Sequence, residues 1–197
     1  MGRLLLRATL SAVFVVHGTQ KLFGWFGGHG PEATGGFFES LGLRPGKRHA
    51  TAAGWSEAVG GALLTLGAFT PLAQAMITGT MVTAIRKVHA PKGPWVTEGG
   101  YEYNAVLIAA MVALAESGPG KPSVDSAMFP KLKGTAWALL ALGAGVAGSY
   151  LATEYFNEPE TAPAAPAAPD EARFEREETQ AEDETRFSRE SSTADAS

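Results

Sequence analysis

Apolar residues in this chain come in long stretches from which charge is missing. Residues 8–20, 58–85, 103–115 and 134–153 contain no Asp, Glu, Lys or Arg. A helix that crosses the hydrocarbon core of a bilayer needs about 20 mostly apolar residues. The run 134–153 supplies that length alone. The 28 residues of 58–85 would make a helix of roughly 42 Å, against a core of about 30 Å. Thr70-Pro71 lies in the middle of that run. Threonine suits an N-cap and proline suits the first helical position, so the run divides into two helices joined by a tight turn. A helix from 3 to 24 opens with Arg3 and Arg7, and one from 101 to 118 is stopped by Gly118-Pro119-Gly120 and Pro122. Five spans are thus predicted, near 3–24, 49–69, 71–90, 101–118 and 134–153.

A soluble helix should carry a polar stripe, and the runs 58–85 and 134–153 carry no charged one. Their polar residues are Ser, Thr, Gln and Gly, which membrane helices use for close packing. Ala141, Gly145 and Ser149 recur every four residues in the last span. Gly54 and Gly61 share a face with Glu57 in the second, at offsets of three and four. Between the first two spans, residues 31–43 place Phe37, Phe38 and Leu41 on one helical side, which suits an interfacial amphipathic helix or a loop with buried aromatics. The first run lacks a small-x-small cleavage site, and Lys21 and Trp25 come after it, so it reads as a span and not as a cleaved signal.

The averages hide two different pieces. The net charge of −4 and 45% hydrophobic content describe neither. Residues 154–197 hold 13 of the 20 acidic and 4 of the 16 basic residues, a balance of −9, which leaves +5 for residues 1–153. Residues 158–169 are Pro/Ala-rich. Residues 170–197 are charged and serine-rich, too poor in large apolar groups to offset their ordering entropy. The expected organisation is a four-helix membrane core over 1–118, a loop over 119–133, an additional transmembrane helix over 134–156 and a disordered tail over 157–197. The fold class is all-α, an integral membrane helical bundle.

The 197 residues include no cysteine, so disulfides, thiol nucleophiles and thiolate metal sites are excluded. Four histidines outside any HExxH pattern leave no metal motif, and neither a GxxxxGK[ST] loop nor a strand-bound GxGxxG is present. Scattered charges between apolar runs are not a nucleic-acid footprint. Lys and Arg near the span ends almost tie between the two sides, with the N-terminus inside and the tail outside as the expected orientation.

Ionisable residues within spans are costly and point to function. His17, Gln20 and Lys21 fall on one face of the first span. Glu57 lies in the second, Arg86 and His89 end the third, and Trp95, Glu102 and Tyr103 lead into the fourth. Two acids, Glu57 and Glu102, can meet two cations, Lys21 and Arg86, and an unpaired charge in hydrocarbon should be expelled or neutralised. A cavity with these groups suits a quinone head group, a proton or small-solute path, or a structural ion-pair knot.

The motifs HGTQKLFGWFGGHG (17–30), GGFFESLGL (35–43), GWSEAVGGALLTLG (54–67) and VHAPKGPWVTEGGYEYN (88–104) resemble the DoxX family of bacterial membrane proteins. The resemblance runs over about 3–118 and implies a four-helix bundle in the cytoplasmic membrane. The family takes its name from a subunit of a thiosulfate:quinone oxidoreductase. Some actinobacterial members are linked with a sulfurtransferase and superoxide dismutase in oxidative-stress defence. His17, Gln20, Lys21, Glu57, His89, Trp95, Glu102 and Tyr103 match its recurrent polar and aromatic positions, and the family supplies no agreed catalytic residue. The fifth span and acidic tail lie outside its pattern. The resemblance implies a non-catalytic or quinone-interacting membrane subunit of a redox or stress assembly, with a redox or sulfur-metabolism protein as partner. The same residues also suit a small-solute or proton transporter, and the acidic tail suits a scaffold that recruits a partner.

Overall fold

A computed structural model describes residues 1–159. It is all-helical over that range: α1 (Gly2–Phe23), α2 (Gly30–Ser40), α3 (Gly46–Leu66), α4 (Thr70–Ala84), α5 (Glu102–Ser117), α6 (Val124–Met128) and α7 (Thr135–Tyr150). Single π turns extend α4 over Ile85–His89 and α7 over Leu151–Tyr155. The expected tail falls on residues outside the described range from 160 onward. Asn157 and Glu158, expected to belong to it, are held instead. The Arg44 amide donates to Asn157 Oδ1 at 2.6 Å, Asn157 Nδ2 to Gly42 O at 2.9 Å, and the Glu158 amide to Arg44 O at 2.8 Å.

Local sequence sets the helix ends. Gly24 (φ 70°) closes α1 by donating to Gln20 O, and Gly67 (φ 59°) closes α3. Both take the left-handed conformation that glycine adopts without a Cβ clash. The break at Thr70-Pro71 is present, with one correction: Thr70 is the first helical residue and the capping position is Phe69. The cap comes from a distant carboxylate. Asp125 of α6 accepts from the Phe69 amide at 2.7 Å, the Thr70 amide at 2.9 Å and the Thr70 hydroxyl at 2.7 Å. That satisfies N–H groups a helix start leaves unpaired, and it holds Phe69 at φ 47°, an uncommon value for a bulky residue.

The core lies where α1, α3, α4 and α5 meet. Leu10, Phe14, Leu64, Ile77, Met81, Leu107, Met111 and Leu114 are buried there. α1 and α3 approach at glycine: a Cβ at Gly61 would stand 2.7 Å from the Val15 amide nitrogen. Ser11 stitches the pair by donating to Gly61 O at 2.9 Å and contacting the Thr65 hydroxyl. α7 packs outside this set, against α4 and α5. Its Ala138, Ala141, Gly145 and Ser149 are buried. A Cβ at Gly145 would stand 2.7 Å from Ala75 O, and the Ser149 and Thr83 hydroxyls are 2.8 Å apart. Small residues at these positions bring the backbones together and let hydroxyls bond across the seam.

Among the described residues one helix, Thr135–Tyr155, is long and apolar enough by itself to cross a membrane. The other predicted spans are present as helices, but with a shorter run or with ionisable residues inside.

Candidate functional site

A cavity of about 660 Å³, open on one side, is bordered by α1, α2, α3, α4, α5 and α7. That is within the range of small-molecule sites, about 300–1,000 Å³. Five of the nine residues singled out in the sequence line it: His17, Lys21, Glu57, His89 and Tyr103.

The charged centre is one pair. Lys21 Nζ donates to Glu57 Oε2 at 2.5 Å. The Glu57 side chain is 5% exposed and that of Lys21 22%. Their meeting follows from local geometry. Gly54 lies one turn from Glu57 on α3, and a Cβ there would contact Lys21 Cβ at 3.2 Å. The same Cβ would stand 2.8 Å from Leu22 Cγ, so glycine lets α1 pass close to α3 at the level of Lys21. Lys21 also approaches His17 O at 3.4 Å, one turn earlier on α1.

His89 sits where the π turn ends α4, with Nδ1 2.6 Å from Gly99 O. A carbonyl only accepts, so Nδ1 carries a proton. Tyr103 and Asn104 come from the first turn of α5, and Asn104 Nδ2 donates to Met81 Sδ at 3.4 Å.

The remaining four predicted residues stand elsewhere. Gln20 Nε2 donates to Phe26 O at 3.1 Å and closes the turn after α1. Glu102 Oε1 accepts from the Val96 amide at 2.7 Å and closes the loop before α5. Trp95 is 59% exposed. Arg86 meets neither Glu57 nor Glu102; of the pairings these acids and cations could make, Lys21–Glu57 is the one formed. It donates to Glu154 Oε1 at 2.7 Å and to Thr153 Oγ1 at 3.0 Å, and its guanidinium lies 3.7 Å from the centre of the Tyr150 ring. Arg86 is therefore a clamp between α4 and α7, and Glu102 is a loop staple whose carboxylate is already engaged.

The sequence reading missed several cavity residues. His49, buried, lies two turns before Glu57 on α3 with Nε2 3.2 Å from Arg44 O. Its offset of eight from Glu57 was the available signal. Thr80, Thr83 and Lys87 of α4 and its extension also border the space. Asp125, the strongest capping residue, was missed because its partners are more than fifty residues away. Among the described residues no group of three or more His, Cys, Asp or Glu converges to hold a metal.

A helical bundle with a cavity centred on a Lys–Glu pair defines the class, all-α over the described residues. The chain matches the family model DoxX over residues 2–90, so that part of it is a DoxX-family domain. That domain supports a DoxX-family membrane protein. The match covers α1 to the end of the α4 extension, so α5 and α7 lie beyond it. No curated protein and no solved structure matches the chain.

Proposed function

We propose that this chain is a multi-pass membrane subunit whose bundle binds the head group of a quinone, as a non-catalytic member of a redox or oxidative-stress assembly. The observation that carries the reading is the pair of half-buried Lys21 and buried Glu57 bordering a cavity with apolar walls. A quinone ring needs hydrogen-bond donors for its two carbonyl oxygens and an apolar surround for its ring and tail. Lys21, the Tyr103 hydroxyl and the His17 ring are donors on that wall. Phe37, Phe38 and Leu41 of α2 offer an apolar border for the isoprenoid chain. The protein's own share is binding and orientation. The chain has no cysteine, so thiol or persulfide chemistry would belong to a protein partner.

Five helices, α1, α3, extended α4, α5 and extended α7, serve as spans. Exposed Leu66, Leu72, Val106, Leu139 and Leu140 then face lipid, while exposed Trp25, Trp95 and Tyr155 mark one boundary and Phe129 and Trp137 the other. Five passes carry the start of α1 and the end of α7 to opposite faces of the cytoplasmic membrane, the former inside.

The test is titration of a menaquinone or ubiquinone analogue into the purified full chain in detergent. Saturable binding is expected, weakened about tenfold by Glu57→Gln and by His17→Ala. No binding, or binding indifferent to both changes, defeats the quinone reading.

A further inference from the structure

At the end of the bundle remote from Glu57, cations from three separate segments border a second cavity of about 270 Å³. Arg3 comes from the first turn of α1, Lys121 from the loop after α5, and Lys133 from the stretch before α7. The Arg3 guanidinium donates to Ser117 O at 2.7 Å, at the carbonyl end of α5, which fixes it at the rim. Two positive-φ glycines let the loop pass close beneath these side chains. At Gly118 (φ +83°) a Cβ would meet Lys133 Cδ at 3.0 Å, and at Gly120 (φ +78°) it would meet Arg3 Cβ at 3.3 Å.

The acid that borders this cavity is Asp125, and its oxygens are engaged by Phe69 and Thr70. Buried Arg7 lies beside the same turn: it donates to Pro119 O at 3.1 Å and Pro122 O at 2.8 Å, and a Cβ at Gly67 would strike its guanidinium. At this end the cations Arg3, Arg7, Lys121, Lys131 and Lys133 outnumber the acids Asp125 and Glu116, and Glu116 Oε1 already accepts from the Thr135 hydroxyl at 2.7 Å. The opposite end is arranged differently. There Lys21, Lys47, Arg48 and Arg86 each pair with a glutamate. Among the described residues Lys121, Lys131 and Lys133 make no ion pair. Phe129, Pro130 and Leu132 line the same cavity, and Phe129 is exposed.

We propose that this pocket holds the phosphodiester of an anionic phospholipid, in the leaflet that faces the start of α1, with its acyl chains along the exposed Leu139 and Leu140. Converging cations at the membrane boundary beside aromatic and apolar side chains suit an anionic head group and not a zwitterionic one. The proposal rests on the multi-pass reading above and is independent of the quinone reading.

The full chain in detergent is titrated with phosphatidylglycerol and with phosphatidylcholine, and lipid retention is read by native mass spectrometry. Phosphatidylglycerol is expected to bind about tenfold more tightly. Lys121→Gln/Lys133→Gln, which removes two charges and keeps most of each side chain's length, should erase that preference, while Lys47→Gln/Lys92→Gln at the other end should keep it. Equal binding of the two lipids, a preference that survives in the first variant, or an equal loss in both variants overturns the proposal. So does stabilisation by millimolar inorganic phosphate without lipid preference, which marks a free-anion site. Alkaline extraction of membranes separates the two readings: release of the protein defeats the multi-pass reading, and retention without lipid preference defeats this proposal alone.

Discussion

Replacing Lys21 by methionine leaves the Glu57 carboxylate facing apolar surroundings with its cation gone. The two partners are unequally placed, with side chains 5% exposed for Glu57 and 22% for Lys21. Removing one member of a buried pair costs up to about 3–5 kcal/mol, because the carboxylate left behind either stays charged without a partner or must take up a proton. For Lys21→Met the residue left behind is the more buried of the two, so the loss should fall in that range. Glu57→Gln is milder. Glutamine keeps a carbonyl that accepts from Lys21, and the lysine stem can carry its ammonium toward water, so about 1–2 kcal/mol is expected. The double change Lys21→Met/Glu57→Leu removes both charges and both desolvation penalties and should return to within about 1 kcal/mol of the parent. Thermal unfolding of the purified chain in detergent reads this order, with a fall of about 10 °C for Lys21→Met at a few degrees per kcal/mol. The double-mutant cycle then gives the coupling directly. Two single changes each below about 1 kcal/mol, or a double change equal to the sum of the singles, would refute the reasoning. Stability and ligand binding should separate in the double variant: the fold returns and quinone affinity does not.

The packing makes two more outcomes testable. Asp125→Ala removes the cap on α4 and three hydrogen bonds to a turn with a left-handed Phe69; a loss of about 3 kcal/mol is expected, with Asp125→Asn between it and the parent, read by the same thermal assay. The Thr83 and Ser149 hydroxyls are 2.8 Å apart and the chain has no cysteine, so Thr83→Cys/Ser149→Cys should crosslink α4 to α7 on mild oxidation. Adding Gly145→Leu, whose side chain would drive into Thr78 and Ala75, should abolish that crosslink; a crosslink that persists contradicts the seam.

Much of the helical frame was legible because it is written locally. Charge-free runs, the Thr70-Pro71 break and the Gly118-Pro119-Gly120 stop set helix positions to within a few residues of those observed. The stripe of Ala141, Gly145 and Ser149 announced a packed face, since residues four apart share one side of a helix. The family motifs pointed to the domain now matched over residues 2–90.

Partner choice was decided by the tertiary structure alone. Periodicity tells which face a residue occupies and nothing about which helix faces it. Lys21 and Arg86 looked equivalent, yet only Lys21 reaches Glu57, because Gly54 lets α1 close on α3 at that level. Arg86 is drawn away by Glu154 and Tyr150, since α7 lies beside the end of α4. Glu102 is engaged by its own loop, and Asp125 caps a helix far from it in the chain. Charges in an apolar surround must find partners, which a linear reading can demand. Which partner satisfies each one depends on how the helices are stacked, and that is set by glycine contacts and hydroxyl bonds distributed over the whole bundle.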